Sequence, residues 1–269
     1  MNSEDNFTPA HQHNRAAWDR RVGQGARFTE PAEDASFRQW REFVERSGWG
    51  GGGLRGCRVL CLAAGGGKHG PLFAAGGGDV TVVDISPAML ELDRRVAAER
   101  GLQLRTIEAS MDNLRMLHEC EFDLITQPVS TCYVPDISKV YREVARVLRS
   151  GGLYVSQHKQ PASLQADIRW SARGYELGEP YYRSGPLPAI SGSLHREEGT
   201  LEYLHRWEEL VGELCRAGFV LEDLSEPRHG RVDTAPATFA HRSYYLPPYV
   251  RLTARRIGPK IPAKTLVML

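Results

Sequence analysis

No stretch of this 269-residue chain approaches eighteen consecutive apolar residues, so it carries no candidate membrane span. Residues 1–14 are polar and lack the apolar core of a signal peptide, and the expected location is the cytoplasm. Cysteine is sparse: Cys57, Cys61, Cys120, Cys132 and Cys215 make an odd number without a C-x-x-C pair. That excludes a disulfide framework and reads as small core residues in a reducing compartment. His11, His13 and His229 have no Cys, Asp or Glu at metal-ligand spacing, so no metal is expected. No segment repeats at a fixed period. With a net charge of +1 there is no overall case for nucleic acid or a membrane surface as partner. Acid is missing locally, however. After Asp233 come Arg242, Arg251, Arg255, Arg256, Lys260 and Lys264 with no Asp or Glu among them. The expected role is a solvated or interface-forming tail, with attraction to an acidic partner as the alternative.

What is present is an ordinary globular composition, 41% hydrophobic and 25% charged, on a chain long enough for one large α/β domain. Residues 1–13 read as disordered. Asn14–Val22 is a short polar helix carrying Trp18, and a second, amphipathic helix is expected over about Ala35–Ser47. The glycine run Gly48–Gly53 reads as a flexible joint, which closes an N-terminal helical cover over 1–56. Strands are expected at 57–63, 79–84, 102–108, 121–126 and 152–158, where runs of Val, Ile and Leu suit buried parallel strands. Ser86 and Pro87 start the helix after the second strand, which stops before Gly101. Another helix begins near Asp136 with Val140, Val144, Val147 and Leu148 as its stripe. Residues 159–199 are proline-rich and irregular, as a substrate insertion would be. A helix then places Tyr203, Trp207, Leu210, Val211 and Leu214 on one face, and strands near 219–225 and 236–243 close the sheet. The domain proper thus spans 57–243, with 244–269 a basic tail. The alternation predicts an α/β fold, a doubly wound, Rossmann-like sheet of seven strands, mostly parallel with one antiparallel.

The first two strands enclose Ala63-Ala64-Gly65-Gly66-Gly67 and end in Asp84. Small residues let backbone approach a nucleotide-like ligand, and an acid at the second strand's end can accept from ribose hydroxyls. Gly65 and Asp84 stand nineteen positions apart, near the spacing of about twenty that such pockets use. Gly65-Gly66-Gly67-Lys68-His69-Gly70 also matches the dinucleotide fingerprint G-x-G-x-x-G literally, which opens an NAD-dependent oxidoreductase as one alternative. Against it, the chain has no Tyr-x-x-x-Lys.

Four downstream segments decide between these. They are Asp84-Ile85-Ser86-Pro87-Ala88-Met89-Leu90, Phe122-Asp123-Leu124-Ile125, Val144 to Gly152, and Ala217-Gly218-Phe219. In that order they resemble the class I S-adenosylmethionine-dependent methyltransferases over roughly 57–243, and Asn14-Arg15-Ala16-Ala17-Trp18-Asp19 looks like the start of the small-molecule members. The resemblance implies S-adenosyl-L-methionine as cofactor. It sets the turn with Ala63, Gly65 and Gly67 under the methionine part, Asp84 on the ribose, and Ile85 and Met89 beside the adenine side of the turn. Ser110 and the Met111 amide would meet the adenine, and Gln127 the cofactor's amino end. Three departures stand out: Cys61 replaces the usual acid of the first strand, Ala63 its usual first glycine, and Ser110 the acid at the adenine, where Asp112 can stand in.

A sulfonium methyl is already electrophilic, so holding a nucleophile in line about 3 Å away can supply most of the acceleration. A base helps a hydroxyl acceptor and hardly matters for a carboxylate or neutral amine. His158, at the carboxyl end of the fifth strand, is the best-placed base, and Tyr133 can line the methyl site and attract the sulfonium with its ring. Trp18 is a candidate lid over the cofactor. Tyr181 and Tyr182 either line the acceptor pocket or anchor its loop, and His195 and His205 read as surface residues. The expected function is O- or N-methylation of a small molecule, by an enzyme that forms a homodimer, if any, through its N-terminal segment or tail. A non-catalytic protein that binds S-adenosylmethionine and uses the tail as an arm is the second alternative.

Overall fold

The computed structural model describes residues 7–46 and 53–258. Most of the expected glycine-rich joint and the end of the tail lie outside the described residues. Seven strands form one sheet: β1 (Arg58–Leu62), β2 (Asp79–Asp84), β3 (Arg105–Glu108), β4 (Phe122–Gln127), β5 (Leu148–Lys159), β6 (Phe219–Ser225) and β7 (Tyr249–Arg256), in the order β3-β2-β1-β4-β5-β7-β6. The pairs from β3 to β5 are parallel, and β7 runs antiparallel to both of its neighbours. This is the doubly wound α/β sheet that the alternation predicts.

Successive strand residues face opposite sides of a sheet, and each side here has its own core. Leu60, Leu62, Val83, Ile125 and Tyr154 pack with Val140, Tyr141 and Val144 of α6 (Ile137–Val147). Val59, Cys61, Val80, Val82, Leu124 and Val155 face the other way, against Phe73 of α4 (His69–Ala75) and Val44 of the N-terminal cover.

The helix starts follow local chemistry. Ser86 caps α5 (Pro87–Glu99) by accepting from Met89 N at 3.1 Å, and Asp136 caps α6 by accepting from Ser138 N at 3.0 Å. Thr8 and Pro9 do the same for α1 (Pro9–Gly23), which therefore begins inside the stretch expected to be disordered. The single helix expected near 35–47 is two, α2 (Asp34–Arg38) and α3 (Trp40–Arg46). Within the insertion only α7 (Pro161–Gln165) is helical, and the helix after it starts at Trp207 with a π-turn over 208–212 before α8 (Glu213–Arg216).

The strand expected at 236–243 is a correction. Those residues hold α9 (Phe239–Tyr245), started by Thr238, whose hydroxyl accepts from His241 N at 3.2 Å. The last strand is β7, inside the supposed tail. Val250, Leu252 and Ala254 are buried and alternate with Arg251, Thr253 and Arg255, and the arginines disguised that period of two. Arg242 is no tail charge either. It is 1% exposed and donates to Ser163 Oγ and to the carbonyls of Ser163, Ala166 and Asp167, which α7 leaves unpaired at its end. Among the described residues no helix is long and apolar enough to cross a membrane.

Candidate active site

In an open parallel sheet the ligand crevice lies beyond the carboxyl ends of the strands, where strand order reverses. Here that point is between β1 and β4. A cavity of about 640 Å³ opens there, lined from β1 by Ala63 to Gly66, from β2 by Asp84 and Ile85, from β3 by Ala109 to Met111 and from β4 by Thr126 to Ser130. Its far half is walled by Tyr133, Gln157, Glu197, Phe239, Tyr249 and Arg251.

The turn after β1 is bound from two sides. Asp84 Oδ2 accepts from Gly65 N at 2.9 Å, and its Oδ1 accepts from Ser86 N at 2.9 Å. Gly66 N donates to Asp93 Oδ2 on α5 at 2.9 Å. Burial pushes the Asp84 carboxyl up to about 6 and that of Asp93 up to about 7, with the backbone donors opposing in both cases. Glycine is required at Gly65: a Cβ there would lie 2.8 Å from Met89 Cβ and 3.0 Å from Asp84 Oδ2. Ala63, standing where a glycine is usual, adopts φ +47°, a conformation that costs an alanine about 1 kcal/mol or more.

The N-terminal cover is fastened over this turn. Asp19 Oδ1 accepts from Ser86 Oγ at 2.6 Å and from Ala88 N at 3.3 Å, which pins α1 to the cap of α5. Ala32 N donates to Gly67 O at 3.0 Å. Asn14 bridges three segments, donating to the carbonyls of Tyr133 and Leu201 and accepting from Leu201 N. Trp18 lines the cavity and meets the Tyr133 ring edge-on at 5.7 Å.

Of the sequence-nominated cofactor residues, Ala63, Gly65, Asp84, Ile85, Met89, Ser110, Met111 and Gln127 all line the cavity. Gly67 does not. It has φ +75°, and a Cβ there would meet Val96 Cγ2 at 2.9 Å and Leu92 O at 3.0 Å, so it serves packing of the turn on α5. Ser110 Oγ donates to Asp112 Oδ1 at 2.6 Å, and His11 Nε2 lies 3.3 Å from Asp112 Oδ2. The expected stand-in acid is therefore part of a Ser110–Asp112–His11 group. Gln127 is fixed by Tyr154, whose hydroxyl donates to its Oε1 at 2.6 Å, and itself donates to Ser130 Oγ at 2.9 Å.

His158, the nominated base, is fully buried and absent from the cavity lining. Its ring nitrogens pair with Thr131 Oγ1 at 2.7 Å and Ser156 Oγ at 2.8 Å, and burial pushes its pKa down to about 3. His158 lies one strand pair beyond Ser156, which lines the cavity, and packs against α6, where it meets Tyr141 edge-on at 6.4 Å. Gln157 faces the cavity instead. Tyr133 does line it, and its hydroxyl donates to Glu197 Oε2 at 2.7 Å. His195 and His205, read as surface residues, are 8% and 5% exposed. Tyr181 accepts from Trp207 N at 3.1 Å, anchoring its loop, while Tyr182 is exposed.

Sequence reasoning missed Glu197, Lys159, Asp93 and Asn14. Lys159 is visible in hindsight, because it shares the Gln157 face of β5. Asp93 interrupts the buried α5 face of Met89, Leu90, Val96 and Ala97, which is a signal in itself. Nothing local marks Glu197.

The comparisons agree with this geometry. A family model described as a methyltransferase domain matches residues 60–156. An uncharacterized methyltransferase of Bacillus subtilis (strain 168), YbaJ, is 31% identical over 237 residues, covering 82% of this chain and 91% of that protein. Among solved structures, an S-adenosylmethionine-dependent methyltransferase from Mesorhizobium loti superposes with a TM-score of 0.61 at 22% identity, covering 82% of this chain and 98% of the other. Geranyl diphosphate C-methyltransferase from Streptomyces coelicolor gives 0.63 at 18%, covering 93% and 99%. Its structure holds S-adenosyl-L-homocysteine. Glycine turn, the carboxylate of Asp84 at the end of β2, sheet order and a relative alike over four-fifths of this chain agree, and the chain belongs to the class I S-adenosylmethionine-dependent methyltransferases.

Proposed function

We propose that this protein methylates a small-molecule acceptor, at oxygen or nitrogen, inside the cavity at the β1/β4 crevice. The observation that supports it is continuity: one cavity joins the glycine turn and Asp84 to a separate wall built from Tyr133, Gln157, Glu197 and Tyr249. Its volume lies within the range of about 300–1,000 Å³ usual for small-molecule sites. The residues suit S-adenosylmethionine. Asp84 offers each carboxylate oxygen's remaining lone pair to ribose hydroxyls, Gly65 allows backbone approach, and Ile85, Met89 and Met111 give the adenine apolar faces. Gln127, held by Tyr154 and Ser130, would present polar atoms to the amino end. The cofactor supplies an electrophilic methyl group.

What the chain itself supplies is positioning and exclusion of water. Trp18 and Tyr133 close the cavity from the side of α1, with Asp19 and Asn14 fastening that cover in place. His158, packed against α6, holds the Thr131 segment rather than moving a proton. Titration with S-adenosylhomocysteine and NAD tests the reading against the oxidoreductase alternative. Micromolar binding of S-adenosylhomocysteine and none of NAD is expected; the reverse pattern would refute it. Binding without methyl transfer to any of a broad acceptor panel would favour the non-catalytic reading.

A further inference from the structure

Opposite the glycine turn the cavity ends on a buried charged cluster. Lys159 Nζ, at the end of β5, donates to Glu197 Oε2 at 2.5 Å and to Glu202 Oε1 at 2.6 Å. Arg196 Nε donates to Glu202 Oε2 at 2.5 Å, and Tyr133 OH shares Glu197 Oε2 with Lys159. Of these four charged residues, Glu197 alone lines the cavity.

Burial by itself would raise the Glu197 pKa, but the charge of Lys159 and hydrogen bonds from Lys159 and Tyr133 hold it down at about 2. Lys159 remains a cation, since Glu197 and Glu202 outweigh the burial that opposes its charge. A carboxylate held in this way is a weak base, yet it faces the cavity and can still accept a hydrogen bond from a group there. His11 has both ring nitrogens engaged, with Thr8 N and with Ser110 and Asp112. Burial pushes His69 down to about 4, and His229 is exposed at the mouth and also lowered by burial. A hydroxyl nucleophile needs a base poised near neutrality. Among the described residues that wall this end of the cavity none is, and Asp84, raised to about 6, stands at the glycine turn.

Resting on the methyltransferase reading, we propose that the acceptor atom is a neutral nitrogen, either an arylamine nitrogen whose own N–H donates to Glu197 or the pyridine-type nitrogen of an azole whose other ring N–H does so. The nitrogen lone pair forms the N–CH3 bond while the C–S bond breaks and its electrons return to sulfur. The positive charge thereby passes from sulfonium to nitrogen, beside the Glu197 carboxylate, and the surplus proton leaves to water afterwards. The Trp18, Tyr133, Phe239 and Tyr249 rings around this end of the cavity suit a flat acceptor and a cationic product.

The test uses the full-length protein saturated with S-adenosylhomocysteine, titrated with benzylamine, an ammonium at pH 7 that mimics the charged product, and with benzyl alcohol. The amine should bind at least tenfold tighter. Glu197→Gln should bring the ratio to within twofold and leave S-adenosylhomocysteine affinity unchanged. In parallel, methyl-labelled S-adenosylmethionine should label aniline or benzimidazole and not phenol. Equal affinity for amine and alcohol, binding of neither, a ratio indifferent to Glu197→Gln, or label on phenol alone would each overturn the proposal. Should Glu197→Gln fail to fold, the wild-type ratio and the labelling pattern decide alone. Failure to bind S-adenosylhomocysteine at all would count against the functional reading instead.

Discussion

Replacing Asp84 by asparagine separates two roles of one carboxylate, the turn contacts that the structure shows and the ribose contact that we propose. In the folded protein its oxygens each accept a backbone amide, Gly65 N and Ser86 N, both at 2.9 Å. Asparagine has one acceptor oxygen, so its NH2 group must face one of those amides and leave it unpaired, costing about 1–3 kcal/mol. The same change removes the burden of ionising a buried acid. Its pKa, pushed from 3.8 to about 6, corresponds to stability on the order of 3 kcal/mol that wild type has lost at neutral pH. The two terms oppose each other at similar size, so the melting temperature without ligand should move by only a few degrees. Cofactor affinity has no such compensation. A hydrogen bond to a charged group is worth about 1.5–3 kcal/mol, so losing even one ribose contact predicts roughly ten- to a hundred-fold weaker binding. Calorimetric titration with S-adenosylhomocysteine at pH 7.5, beside thermal melts, measures both. Affinity within threefold of wild type, in a variant that melts normally, would mean that Asp84 does not hold the ribose.

The same raised pKa predicts opposite pH trends for stability and binding. A group with a raised folded pKa stabilises below its unfolded value and loses that contribution as pH rises, here from about 4 to about 6, whereas cofactor affinity should fall about fivefold between pH 6 and 5 because the proton competes with ribose. Melts and titrations across pH 4.5–8 check this, and in Asp84→Asn the binding limb should vanish. Gly65→Ala, whose Cβ meets Met89 and Asp84, should weaken S-adenosylhomocysteine binding, whereas Gly67→Ala should lower stability by about 1–3 kcal/mol and leave the folded protein's affinity unchanged. Equal affinity losses in the two variants would place Gly67 at the ligand after all. Lys159→Met leaves Glu197 in the interior without its cation, while Glu202 keeps Arg196, and should destabilise by about 3–5 kcal/mol in urea unfolding, with part of the loss recovered in the Lys159→Met/Glu197→Gln double variant. An additive double variant would show that the cluster is not electrostatically coupled.

Signals carried by neighbours in sequence were legible, and those assembled by distant segments were not. Ser86-Pro87 and Asp136 mark their helices because capping acts within three residues. Asp84 is legible because a strand end and a glycine turn fix where its carboxylate goes. His158 shows the limit of such reading. Its position at the end of β5 is correctly inferred, but its ring is taken up by Thr131 and Ser156 against α6, and Ser156 and Gln157 line the cavity. The β7 strand was hidden by the opposite effect, since Arg251 and Arg255 break what would otherwise read as an apolar run. Glu197 lies thirty-eight residues from Lys159 in an irregular segment, and no local pattern connects the two.

The departures from the family pattern acquire a physical explanation when taken together. Cys61 is fully buried and packs with Val82 and Leu124, so the first strand has exchanged a carboxylate for core volume. The glycine turn still needs an acceptor for its amides, since a buried N–H left unpaired is costly. Asp93 meets that need from α5, reaching Gly66 N with a carboxylate on the otherwise apolar face that packs under the turn. The acid has in effect moved from strand to helix. One consequence is that the turn is now tied to α5, whose cap also receives Asp19 from the N-terminal cover. Turn, Asp84 and cover thereby converge on the first two turns of a single helix. Ordering of the cover should therefore accompany ordering of the turn, and the binding of cofactor at Asp84 should be felt at Trp18. A change in Trp18 fluorescence on adding S-adenosylhomocysteine, abolished in Asp19→Ala without loss of the sheet's own stability, is what that linkage requires.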